Sequence, residues 1–396
     1  MSVEVPCAVR LVDLDRPQDD LQVGDYRSVL VVARSGGRPL GTLALPVGEH
    51  GTVTAQAVEE AAARELGPVT ATPDPARSSR SVTVVVTTCR NPGPLERCLE
   101  SVLASDPAPA EVVVVENRPG DGVTAALLAD SFADRPVRLV EESRRGLSWA
   151  RNAGLYAASG EVVAFTDDDV VVDPGWVGRL AAGFDRAPDV ACVTGLILPL
   201  RLDTEEQLWI ERLASFNKGF QAREWRMATR EEHGRLFPYA CGEFGSGANT
   251  AVLAHQARAI GGFDVRLGAG TPAWGGEELD LYLRMLQAGH ALVYEPAALL
   301  WHDHPDHPER LRSEAFHYGI GLTAMLTKHA LFGADRRDML SRAVGGVSHI
   351  LDPGSRKNAG KHAGYPRGLD TLERAGMLLG PVAYLRSRLV GTMHAA

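Results

Sequence analysis

Two stretches of the chain are apolar on both faces. Val82-Thr-Val-Val-Val-Thr-Thr and Glu111-Val-Val-Val-Val-Glu-Asn place valines at successive rather than alternate positions. A strand with one wet face alternates, whereas a strand covered on both sides does not. Helical patterns separate the runs. Pro94-Leu-Glu-Arg-Cys-Leu-Glu-Ser-Val-Leu puts positions 95, 98, 99, 102 and 103 on one side, with proline near its start. Gly122 to Phe132 and Ser148 to Ala158 read as further helices, Val137-Arg-Leu-Val-Glu as a third strand and Glu161-Val-Val-Ala-Phe-Thr as a fourth. This alternation predicts an α/β fold: a Rossmann-like, mostly parallel sheet flanked by helices.

Ligands of such sheets bind beyond the carboxyl ends of the strands. Polar residues gather at all four ends: Thr87-Thr88-Cys89-Arg90, Glu116-Asn117, Glu141-Glu142 and Asp167-Asp168-Asp169. Three successive carboxylates repel one another unless a cation or a proton relieves them. Hard divalent ions take carboxylate oxygens, and Mg²⁺ is commonly shared between one or two carboxylates and substrate phosphates. The first strand runs into Thr-Thr-Cys-Arg-Asn-Pro-Gly, so the G-x-G-x-x-G dinucleotide loop is missing there. The downstream Gly268-Ala-Gly-Thr-Pro-Ala lies far away with a proline inside it.

The chain of 396 residues is long enough for two or three units. Residues 1–67 read as a small N-terminal α+β unit, with a hairpin turning at Ser35-Gly-Gly-Arg-Pro and a helix from Ala55 to Leu66. Residues 68–80 read as a Pro/Ser-rich linker, 81–310 as the main domain and 311–396 as a helical C-terminal extension. Residues 217–240 read as a mobile loop. The net charge of −9 excludes a general nucleic-acid binder. Cys7, Cys89, Cys98, Cys192 and Cys241 are scattered and form no C-x-x-C pair, which points to a reduced, cytoplasmic setting rather than disulfides or zinc. Neither a signal peptide nor a membrane span is expected. Leu372 to Leu389 mixes apolar residues with Arg374, Arg386 and Arg388; ordinary packing is the first expectation and peripheral membrane association the second.

From Ser81 to His304 the order of motifs resembles the family 2 glycosyltransferases of GT-A fold. They are Val82-Thr-Val-Val-Val-Thr-Thr-Cys-Arg-Asn; Glu111-Val-Val-Val-Val-Glu-Asn; Gly146-Leu-Ser-Trp-Ala-Arg-Asn-Ala-Gly; Val163-Ala-Phe-Thr-Asp-Asp-Asp; Gly261-Gly-Phe-Asp; Trp274-Gly-Gly-Glu-Glu-Leu-Asp-Leu-Tyr-Leu-Arg; and Tyr294-Glu-Pro through Trp301-His-Asp-His. The resemblance implies an inverting, metal-dependent transfer from a nucleotide-diphospho-sugar, with 81–190 holding the donor and 191–310 the acceptor. Asp167 and Asp169 match the D-x-D pair that holds Mn²⁺ or Mg²⁺ against the donor diphosphate, with Asp168 between them. Thr87, Arg90 and Glu116 match positions lining the nucleobase and ribose pocket, where Glu116 replaces the usual Asp. Arg151 and Asn152 belong to a motif that reaches the donor, and Trp274 to the floor under a sugar ring. The acceptor-side base is one of Glu278, Asp280 and Glu277. One of His302 and His304 meets the metal or the diphosphate. A UDP-sugar is the favoured donor and the acceptor is open. Two rivals remain: a sugar-phosphate nucleotidyltransferase, and a sugar- or nucleotide-binding scaffold without catalysis.

Overall fold

The computed structural model describes residues 3–68, 78–358, 361 and 365–393. The centre of the expected linker, 69–77, lies outside the described residues, as does part of the Gly/Lys/Pro-rich stretch near 353–368. At the N-terminus are strands β1 (Cys7–Asp13), β2 (Leu21–Gln22), β3 (Ser28–Ser35), β4 (Arg38–Pro46) and β5 (Thr52–Val53). β3 and β4 make the expected hairpin, β1 joins β3 in parallel, and β2 pairs with β5. Helix α1 (Ala55–Leu66) is capped by the Thr54 hydroxyl and buries Val58, Ala61 and Ala62 in the core of this unit. Arg34 and Arg38 reach across to Asp173 (3.3 Å) and Glu295 (3.5 Å) of the main sheet.

The main sheet holds β6 (Val82–Thr88), β7 (Glu111–Asn117), β8 (Val137–Glu142), β9 (Val162–Asp167), β10 (Val170–Val172), β11 (Val190–Pro199), β12 (Arg223–Trp225), β13 (Thr250–Leu253) and β14 (Ala291–His302). Its order is β10-β14-β11-β13-β9-β6-β7-β8, with β12 added to β14. Strands β6, β7, β8, β9, β11 and β14 run one way; β10, β12 and β13 oppose them. The sheet is therefore mostly parallel, as the valine runs predict. Those runs split by parity. Val84, Val86, Val112 and Val114 enter a core with Leu95 and Leu99 of α2 (Pro92–Leu103); α3 (Val123–Ser131) follows β7. Val85, Val113 and Val115 enter the opposite core with Ala150 and Leu155 of α4 (Leu147–Ala157). Each face thus has its own helix layer, which is why neither set of valines was replaced by polar residues.

Helix α5 (Trp176–Gly183) packs on the β14 side of the sheet; it and β10 carried no clear sequence pattern. Register slips between Gly195 and Leu196 on β11. Asn249 fills the slip: its Nδ2 donates to the carbonyls of Leu196 (2.9 Å) and Ala298 (2.8 Å), and its Oδ1 accepts from Trp176 Nε1 (2.8 Å). A Cβ on Gly195 would stand 2.1 Å from the Ala298 oxygen. Helix α6 (Glu205–Ala214) opens on a capping box formed by Thr204 and Gln207. The mobile loop expected at 217–240 is instead built into the sheet through β12, because Arg223, Glu224 and Trp225 pair with β14. After β13 come α7 (Ala254–Ala259) and α8 (Glu277–Gln287), the latter stopped at Gly289 with φ +89°.

The C-terminal region is α9 (Pro308–Phe332), α10 (Arg336–Ser341), α11 (Ala343–Leu351) and α12 (Arg367–Met393). α9 and α12 approach closely through glycines: a Cβ on Gly319 would meet Glu373 O at 2.0 Å, and one on Gly376 would meet Phe316 O at 2.1 Å. Among the described residues no helix is long and apolar enough to cross a membrane.

Gly154 tests the tightness of the α4–sheet contact. A Cβ there would lie 2.3 Å from Val85 Cγ1. Replacing a mid-helix glycine by alanine normally gains roughly 0.5–1 kcal/mol, whereas overpacking a filled core costs about 1–3 kcal/mol. Gly154→Ala is therefore expected to lower the urea midpoint of unfolding despite its better helix propensity.

Candidate active site

The acid triplet closes β9 at the carboxyl end of the parallel strands, beside the end of β6, where Thr87 pairs in register with Asp167. The three carboxylates have different partners. Asp167 Oδ1 accepts from Thr87 Oγ1 (3.3 Å) and Arg151 Nη2 (3.2 Å); its Oδ2 accepts from no described residue. Asp168 is held on both oxygens, by Thr88 Oγ1 (2.6 Å) and Asn91 Nδ2 (3.0 Å). Burial pushes the Asp168 carboxyl up to about 6, against those hydrogen bonds and with help from the charge of Asp169. Asp168 therefore ties the β6–α2 loop to β9.

Asp169 is raised by burial and by Asp167, with His302 opposing. Its Oδ1 is shielded from solvent and has no hydrogen-bond partner. His302 Nε2 lies 3.5 Å from that oxygen. The network behind His302 fixes its tautomer. Glu211 Oε2 accepts from His304 Nε2 (2.9 Å), and the two Nδ1 atoms of His304 and His302 are 3.0 Å apart. With neutral imidazoles, His304 carries its proton on Nε2 and accepts at Nδ1 from His302. His302 then keeps a lone pair on Nε2. That lone pair and a shielded carboxylate oxygen face each other, an arrangement relieved by a proton or by a metal ion between them. Of the two histidines, His302 faces the acids; His304 is buried and acts through it, its carbonyl accepting from Gln207 (3.1 Å) and its ring stacking on Phe216. Gln207 and Glu211 stand one turn apart on α6, so a single helix face holds His304 at both ends.

Arg151 is buried under the triplet. Its Nη2 meets Asp167 and its Nη1 meets Glu277 Oε1 at 2.9 Å. Both ends of the guanidinium are thus paired with acids. Glu277 is itself buried, and its Oε2 has no partner. Burial, and then the charge of Glu278, raise its carboxyl above the usual range, with Arg151 opposing. Glu278, next on α8, is half-exposed and forms no hydrogen bond or ion pair with any described residue.

The remaining residues divide. Glu116 is buried at the end of β7, with Oε2 bonded to Thr124 Oγ1 and Oε1 unpartnered. Arg90 is in the left-handed region (φ +58°) and pairs with Asp121 at 2.8 Å. Trp274 (φ +56°) is 40% exposed and lies flat on His317 of α9, with centroids 3.9 Å apart. Two expectations are corrected. Asn152 is turned to the protein rather than to the acids: Nδ2 donates to Phe263 O and Oδ1 accepts from Phe263 N, both at 2.8 Å. Asp280 is not accessible as a base. It is fully buried, with Arg284 (2.7 Å), His329 (2.8 Å) and Lys328 (2.5 Å) on its oxygens. Burial opposes its charge, yet the His329 hydrogen bond and the charges of Arg284 and Lys328 outweigh it and hold the carboxyl well below the ordinary range. Sequence reading missed Asn91, Glu211, Lys218 and His317. Of these, Glu211 alone carried a signal, since the capping box fixes the phase of α6. Lys218 is pushed down to about 8 by burial, with the charge of Glu211 opposing.

A doubly wound sheet with acids, an unpaired carboxylate and an exposed indole at its carboxyl edge defines the class: an α/β protein with a polar cleft at the strand ends. Residues 83–244 match the model of glycosyl transferase family 2. The match ends before Trp274, Glu277, Glu278, His302 and His304, so those residues stand on geometry. The chain is 28% identical over 255 residues to the pre-mycofactocin glycosyltransferase of Mycobacterium tuberculosis, covering 64% of this chain and 49% of that protein. It is 33% identical over 103 residues to the glucosyl-dolichyl phosphate glucuronosyltransferase of Haloferax volcanii, covering 26% of this chain and 32% of that one. It thus spans half or less of the length of these curated relatives. A solved mannosyltransferase from Pyrobaculum calidifontis, in complex with GDP-Man and Mn²⁺, is 20% identical with a TM-score of 0.49, covering 81% of this chain and 90% of that one.

The Asp280 cluster yields a stability test. Removing one member of a buried charge network costs about 3–5 kcal/mol, so Asp280→Asn is expected to lower the melting temperature sharply at neutral pH. A carboxyl depressed in the folded state contributes stability above its unfolded value of about 4 and loses it as pH falls through the lower folded value. The gap between wild type and variant should therefore close on acidification below that point, as read by melting curves across pH.

Proposed function

We propose that the chain is an inverting glycosyltransferase that moves a sugar from a nucleoside-diphospho-sugar to an acceptor hydroxyl with the help of a divalent ion. The observation that carries this reading is the arrangement around Arg151. Its guanidinium joins Asp167, on the acid side of the cleft, to Glu277, and the unpaired Glu278 follows on the same helix turn. A donor diphosphate beside the triplet would lie across from an available carboxylate, as displacement with inversion requires.

Residues 81–190 would bind the donor. Glu116 Oε1, buried without a partner, suits the N–H of a base or the O–H of a ribose, and Thr87 and Arg90 border the same strand end. Asp169, with His302 or with Asp167 beside it, would hold the ion. Among the described residues no three His, Cys, Asp or Glu side chains come together as a metal-holding group, so the protein would supply at most two ligands and diphosphate oxygens and water the rest. An imidazole in the set favours Mn²⁺ over Mg²⁺. When bound, the ion supplies Lewis-acid stabilisation of the departing nucleoside diphosphate. Residues 191–310 would hold the acceptor, with Trp274 as a platform for a sugar ring and 1–67 and 311–396 as flanking units. Glu278 takes the hydroxyl proton as the acceptor oxygen bonds to the anomeric carbon and the bond to the diphosphate breaks on the opposite face. We place the reaction in the cytoplasm, consistent with five free cysteines.

General-base catalysis is typically worth ~10²–10⁴ in rate. Glu278→Gln should lose turnover on that scale while a UDP-sugar with Mn²⁺ still raises the melting temperature. Asp169→Ala should lose the Mn²⁺-dependent part of that rise. A Glu278→Gln enzyme with wild-type turnover would exclude this base. Release of pyrophosphate from a nucleoside triphosphate and a sugar 1-phosphate would point to the nucleotidyltransferase instead.

A further inference from the structure

Helix α12 is built inside out. Against α9 it presents Gly376, Gly380 and Ser387, with Tyr384 the one large residue of that stripe, all buried. A Cβ on Gly380 would stand 2.6 Å from the Ile320 carbonyl, so small residues are required there. The large aliphatic side chains point away from the protein. Leu378 is 81% exposed, Val382 64% and Leu389 68%, with Leu385 between them. These positions recur at intervals of four, three and four, one stripe along a helix. Phe332, at the end of α9, is exposed and continues the surface, with the Arg388 guanidinium 4.0 Å above its ring. Contiguous exposed apolar surface of this kind marks an interaction site. The segment therefore packs through one face, with Leu372 and Tyr384 turned inward, and leaves a second apolar stripe outside.

The charge around the stripe selects the partner. From Arg374 to Met393 there is no aspartate or glutamate in a chain of net charge −9; Arg374 pairs back to Asp370 at 2.7 Å, which leaves Arg386 and Arg388 as the positive charges beside the stripe. A two-fold pair made through this face would bring the same basic patch against itself. An anionic lipid surface offers the opposite charge together with an apolar layer for the leucines. No described helix can span a bilayer, so the helix would lie in the plane of the interface. We propose that the outer face of α12, with the end of α9, is a docking surface for anionic membrane. The site is independent of the glycosyltransferase reading, since it involves none of the residues placed in the cleft.

Cosedimentation of the full chain with phosphatidylcholine vesicles, with and without phosphatidylglycerol, tests it. The expected result is at least about tenfold more bound protein on the anionic vesicles, weakened by salt, since each arginine near such a surface contributes roughly 1 kcal/mol. Leu378→Ser/Val382→Ser/Leu389→Ser and, separately, Arg386→Glu/Arg388→Glu should each abolish that binding, while melting curves and the donor-induced rise in melting temperature stay as in wild type. Equal pelleting with neutral and anionic vesicles would overturn the proposal. So would a dimer in light scattering that the serine variant returns to monomer while wild type binds no vesicles. Because the readout is vesicle binding, failure of the enzymatic reading leaves it standing, and the reverse.

Discussion

The cleft depends on one buried guanidinium. Arg151 comes from α4, Asp167 from β9 and Glu277 from α8, so one side chain joins three elements. A buried cation bridging two acids is costly to desolvate and strongly destabilising when left partnerless, so the three positions are mutually committed. Its consequence is geometric. Glu277 is spent on holding α8, while its neighbour Glu278 pairs with no described residue. The same economy appears in Asp168, which is used to fasten the β6–α2 loop and leaves Asp167 and Asp169 facing the cleft.

The second constraint is the relay behind His302. A histidine beside carboxylates is ambiguous until its far nitrogen has a partner. Here α6 decides the matter through Glu211 and Gln207, which hold His304 by side chain and by carbonyl. Two lone pairs then converge near Asp169. Two facing lone pairs are relieved by a proton or by a positive ion, so what this place can accept depends on which atoms carry protons, beyond the mere presence of acids.

The central sheet was legible because burial on two faces writes itself into successive valines, and the parity of Val84 and Val85 needs no knowledge of the partners. The acid triplet, Glu116 and Glu277-Glu278 were legible as polar residues at the ends of readable elements. What stayed hidden were relations between distant segments. Nothing local in Asp280 announces Lys328 and His329, and nothing in Asn152 announces Phe263, so both looked available when both are turned to the protein. Strand β12 escaped because its three residues owe their extended form to β14 rather than to their own pattern. The outward leucines of α12 were visible in composition, but only the glycine contacts with α9 decide which side of the helix faces in.

The slip between Gly195 and Leu196 carries a consequence of another kind. Asn249 spans it with both amide protons while Trp176 occupies its oxygen, and a side chain at 195 would strike the Ala298 carbonyl. Three residues far apart in the sequence, Trp176, Gly195 and Asn249, thus share one steric and one polar requirement. Mutational drift at any of them is blocked unless the others change in the same lineage, so glycine, asparagine and tryptophan should pass together, or be lost together, among descendants that keep this bend in the sheet.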